Sequence, residues 1–161
     1  MKRITNVQIV GSLGKGGLTQ AVSTDSCISL IETTSPGPVA GSGTKIYFNG
    51  VSGSAGNLTS KKDGFSLVYF ADEGWVENSL FGLLYTGIAE LMKMNINSVA
   101  FLLVNRDMWK YKAKVLEWIG YSFKSVEGDF KEGHINTVYL IVPEEHKKSV
   151  SEVFSSIFQL A

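Results

Sequence analysis

Among 161 residues, few side chains have the type and spacing to do chemistry. Cys27 is the one cysteine; it would act as a nucleophile only if folding brought a base to it, whereas a lone cysteine is more usually a small buried hydrophobe. His134 and His146 are the only histidines. Their separation fits no compact metal motif, and with no cysteine cluster a zinc site is not expected. The run Gly11 to Gly17, GSLGKGG, could cradle a phosphate if its amides converged. Its spacing is not that of a P-loop, and a hairpin or turn is the plainer reading. Lys61 and Lys62 could meet a phosphate but read better as a solvated loop tip. Trp75 and Trp109 could stack a base, with core or rim packing the more ordinary use. Arg106, Lys110, Lys112 and Lys114 make a local basic surface of the kind that serves solubility.

These groups must be positioned by a chain that suits one compact domain, residues 1–161, long enough to bury a core. Fifteen basic and fifteen acidic residues balance, so no overall field favours nucleic acid or an anionic membrane. The single cysteine excludes an internal disulfide and fits a reducing compartment. Met1 to Val10 lacks the continuous apolar core of a signal peptide, and a soluble, cytoplasmic protein is expected.

Three parts follow in order. Residues 1–64 are rich in Gly, Ser and Thr and read as strands separated by turns, at Ile4 to Val10, Cys27 to Thr33 and Thr44 to Val51, with Ser52 to Gly64 as an exposed hairpin loop. Residues 65–142 hold a strand at Phe65 to Phe70, then a helix capped by Asn78 or Ser79 with Leu80, Leu84, Ile88 and Leu91 along one side. Ser98 to Val104, SVAFLLV, is an almost unbroken apolar run suited to a central strand covered on both faces. A second helix follows, capped by Asp107, with Met108, Val115, Leu116 and Ile119 on its apolar face and Gly120 at its stop. SFKSVEGDF and INTVYLIV read as a hairpin across Lys131 to His134. Residues 143–161 are a terminal helix opened by Pro143, with Val150, Val153, Phe154, Ile157 and Phe158 in its stripe.

From about Phe65 to Val142, this order resembles a GNAT acyltransferase. The strand ending at Val104, the helix closing at Val115 to Ile119 and the pair Gly120–Tyr121 carry the resemblance. It implies an α/β (α+β) fold: a mixed, mostly antiparallel central sheet, splayed near Asp72 and Asn105 and flanked by helices, with an extra C-terminal helix. It implies acetyl transfer from acetyl-coenzyme A to a small-molecule or protein amine, without a metal. The cofactor would lie along Phe70, Ala71, Val76, Glu77, Asn78, Ser79, Leu80 and Asn105. Asp72 and Glu73 would take the amine proton.

Trp75, Asn78 and Leu80 stand where the family's pyrophosphate loop has Gln or Arg, Gly, and Gly or Ala, and Leu116 stands in place of its tyrosine acid. Those departures motivate a second reading, a catalytically degenerate GNAT-like domain used for protein binding or homo-oligomer assembly. A third reading is a macro-like domain that binds an ADP-ribose derivative. The helix, SVAFLLV strand, helix, VYLIV strand and terminal helix suit its second half, although its early asparagine-rich strand and glycine-rich helix are not recognisable. The sheet separates these readings: a parallel sheet in a macro-like order overturns the GNAT-like fold.

Overall fold

The computed structural model describes residues 6–13, 17–33, 45–48, 57–61, 64–70, 93, 95–104, 108–117, 120 and 135–155. Among the described residues there are eight strands: β1 (Asn6–Ser12), β2 (Val22–Thr24), β3 (Ser26–Thr33), β4 (Lys45–Phe48), β5 (Leu58–Ser60), β6 (Gly64–Phe70), β7 (Ser98–Leu102) and β8 (Thr137–Pro143). A 3₁₀ turn, Met108–Tyr111, leads into helical residues 112–117, here α1. A second 3₁₀ turn, Glu144–His146, leads into α2 (Lys147–Ser155).

The main sheet has the order β1-β8-β7-β3-β6-β4. All pairings from β1 through β6 are parallel, and only β4 runs antiparallel, at the edge beside β6. The mostly antiparallel GNAT-like sheet expected from the sequence is therefore overturned. The physical reason lies in β7 and β8. Val99, Ala100, Phe101 and Leu102 are all at most 1% exposed, and Leu140, Ile141 and Val142 are fully buried. Successive residues of a strand point to opposite faces, so these runs bury both faces, the signature of a parallel sheet covered on each side. The proposed hairpin partner of INTVYLIV fails for a related reason: β1 and β7 take both edges of β8. Residues 121–134, the rest of that hairpin, lie outside the described residues.

One face of the sheet carries Val10, Cys27, Ala100, Leu102 and Ile141, which pack with Leu18, Val22 and Leu58. Val22 and Leu58 come from β2 and β5, a separate parallel pair in the register Val22↔Leu58, Ser23↔Thr59, Thr24↔Ser60. Ser52 to Gly64 is thus not merely an exposed loop, because Leu58 within it is wholly buried. Asp25 ties this small pair to the sheet: its carboxylate accepts from the backbone N–H groups of Asn97 (2.9 Å) and Ser98 (3.3 Å), where β7 begins, and meets Lys61 at 3.7 Å. Val150 and Phe154 of α2 are fully buried outside that cluster, and α2 packs against β1. These two residues of the terminal helix complete the core; Ile157 and Phe158 lie outside the described residues. Gly120, expected as a helix stop, is itself helical and buried. The helix expected at Leu80 to Leu91 also lies outside the described residues.

Candidate functional site

After β3 the chain moves to β4 and β6 on one side of the sheet; after β7 it moves to β8 on the other. Two adjacent parallel strands whose onward connections diverge leave a crevice outside their carboxyl ends, the usual ligand position in open α/β sheets. The described residues at this edge are the ends of β3 and β6 (Thr33 and Phe70), Leu103 and Val104 after β7, the turn after β1, and Pro143 to His146 after β8.

At the β7–β8 side the edge is fixed by Trp109. Its indole Nε1–H donates to the Leu103 carbonyl at 2.7 Å, and its ring stacks on His146 with centroids 4.7 Å apart and planes 12° from parallel. Trp109 is only 4% exposed, so the core or rim role expected of it holds. His146 was expected at the surface; instead it is half-buried, because the 3₁₀ turn directly after β8 lays its ring on the indole. Its Nδ1 is buried without a hydrogen-bond partner. Burial holds the imidazole below its ordinary pKa of 6.5; Glu145 opposes the shift and Lys112 adds to it. The folded protein therefore prefers neutral His146. Stability from this site is complete above pH 6.5 and is lost as pH falls from 6.5 through the lower folded value, where the unfolded chain takes up the proton first. Denaturant midpoints measured across that range should fall on the acid side for the natural protein and fall less for His146→Gln. Parallel profiles would show that His146 is not the titrating group.

At the β1 side, the glycine-rich stretch is a turn, as the plainer reading had it. Leu13 N–H donates to the Gly17 carbonyl at 2.9 Å, Thr19 N–H donates to the Gly11 carbonyl at 2.9 Å, and Ser12 and Leu18 form an antiparallel bridge. Gly11 N–H donates to Thr19 Oγ1 at 3.2 Å. A Cβ on Gly11 would meet the Glu144 carboxylate, the far end of an exposed and flexible side chain that can swing aside. Leu13 at the tip is 60% exposed.

Of the residues assigned to chemistry, Phe70 is the last residue of β6, paired with Thr33 at the crevice edge. Asp72 and Glu73, with Ala71, Val76, Glu77, Asn78, Ser79, Leu80 and Asn105, lie outside the described residues. Cys27 sits near the start of β3, at the opposite end of the sheet, fully buried. Burial pushes its thiol pKa up, against a weaker opposing hydrogen bond with Ser60, which makes it a poor nucleophile. Among the described residues no group of three His, Cys, Asp or Glu could hold a metal ion, and no helix is long and apolar enough to cross a membrane.

No protein-family model matches this chain, and no curated protein matches it. The site thus stands on its geometry. Sequence reasoning missed two of its parts. The Trp109–His146 stack joins residues 37 positions apart, and no periodicity marks that pairing. Asn57, inside a stretch read as loop, binds the turn after β1 with its side-chain amide. Its only signal was its place immediately before the apolar Leu58.

Proposed function

We propose that this chain is a macro-like binding module that takes an ADP-ribose derivative in the crevice outside the carboxyl ends of β3 and β7. One observation carries the reading: the sheet is parallel except at its edge strand β4, and its order β1-β8-β7-β3-β6-β4 suits a macro-like domain, with the onward connections diverging between β3 and β7. The acetyltransferase reading, and the scaffold derived from it, depended on a mostly antiparallel sheet.

The test is calorimetric titration with ADP-ribose and, beside it, acetyl-coenzyme A. Saturable binding of ADP-ribose in the micromolar range, about −8 kcal/mol, with no heat from acetyl-coenzyme A, is the expected result. Binding of acetyl-coenzyme A alone, or of neither compound, overturns the proposal.

A further inference from the structure

Trp109 and His146 close the corner of the sheet where β7 and β8 end. Leu103, just past β7, donates its backbone N–H to the Ile141 carbonyl of β8 at 2.8 Å and accepts the Trp109 indole N–H at 2.7 Å. His146 lies on that indole ring to ring, and its Nδ1 is enclosed without a hydrogen-bond partner among the described residues. A neutral imidazole can leave that nitrogen without a proton, whereas an imidazolium makes both ring nitrogens donors. Protonation therefore puts a charge and a second N–H where neither an acceptor nor water meets them. An imidazolium is attracted to an indole face, but here the attraction is available only with Nδ1 kept dry. Burial is the largest influence on His146, and it opposes the charged form.

We propose that the stack is an acid-released latch: a proton on His146 turns the imidazole out to water, and the indole with its 3₁₀ turn comes away from the end of β7. The movement is local. Val115 is fully buried and keeps α1 docked, as Val150 and Phe154 do for α2. Charges around the imidazole set where the latch releases. Glu144 and Glu145 are on its own turn, and Lys147 and Lys148 follow in α2. Lys110, Tyr111, Lys112 and Lys114 come from the segment that carries Trp109, and β1, which also packs on this turn, has no titratable side chain. Of these groups, Glu145 favours the proton and Lys112 opposes it. The latch stands apart from the ADP-ribose reading, because its parts are complete without a ligand.

The experiment is native-state hydrogen exchange of the Trp109 indole N–H by NMR, its signal identified by loss in Trp109→Phe. The Phe101 amide in β7 marks global unfolding, and each rate is divided by its intrinsic value at that pH. From pH 7.5 to pH 5.5, one unit either side of 6.5, protection of the indole N–H should fall about three- to ten-fold while staying below that of Phe101. In His146→Gln it should not change with pH. The fall should begin at higher pH in Lys112→Gln and at lower pH in Glu145→Gln, variants that keep His146 and so test the latch even if His146→Gln folds poorly. Unchanged protection in the natural protein overturns the proposal, as does an equal fall in His146→Gln or an onset indifferent to both charges. Protection equal to that of Phe101 at each pH overturns it too, because the stack then opens only when the whole fold does.

Discussion

Replacing Phe101 with alanine should cost about 3–5 kcal/mol of stability, the range for emptying a large aromatic site in a close-packed core. Phe101, the fourth residue of β7, is 1% exposed, and its Cα partners across the sheet are Ile28 on one side and Leu140 on the other, exposed 1% and 0%. Both neighbours are held by strand pairing, so they can move little to fill the space. Against a total stability of about 5–15 kcal/mol, that loss leaves the fold marginal. A guanidinium titration should show a large fall in midpoint. Leu13→Ala, at a residue 60% exposed on the turn after β1, should move the midpoint hardly at all. A loss below about 1 kcal/mol for Phe101→Ala would mean that β7 is not the centre of the core.

The importance of β7 was legible in the sequence, since seven consecutive residues from Ser98 to Val104 leave no polar face. Sequence reasoning took from that run only a central strand covered on both faces, although a run without alternation also marks a parallel sheet. The spacing to Gly120 and Tyr121, which carries the GNAT-like resemblance, says nothing about strand direction. Gly120 is itself helical and buried. β2 and β5 were not legible. VST and LTS are three-residue strands with one apolar side chain each, too short for a period to register, and each exists because the other pairs with it.

The candidate site was illegible for a different reason. A topological switch is a property of strand order, and strand order is not written in any local stretch. Lone residues such as His146 and Asn57 acquire their roles only when β8 lies beside β1 and β7, and β5 beside β2. Composition could place Trp109 in the interior, and did. It could not say which ring would lie against it.

That pairing gives the second large effect. Trp109→Ala should cost about 3–5 kcal/mol, since it removes a 4%-exposed indole and leaves the Leu103 carbonyl at the end of β7 without its donor. In a protein of this length each kcal/mol lowers Tm by about 2–4 °C, so melting should begin many degrees earlier. Trp109→Phe keeps a ring for His146 but loses the Nε1–H bond, at about 1–3 kcal/mol for a buried carbonyl left unpaired. The two variants should separate on the acid side of the stability profile. In Trp109→Ala the imidazole of His146 gains access to water, its pKa returns toward 6.5, and the acid-side loss of stability shrinks. In Trp109→Phe the ring stays covered and that loss persists. A double-mutant cycle with His146→Ala should give a coupling of about 0.5–1.5 kcal/mol for the stacked pair. Additive losses would show that the rings merely lie side by side, and that Trp109 holds this edge of the crevice through Leu103 alone.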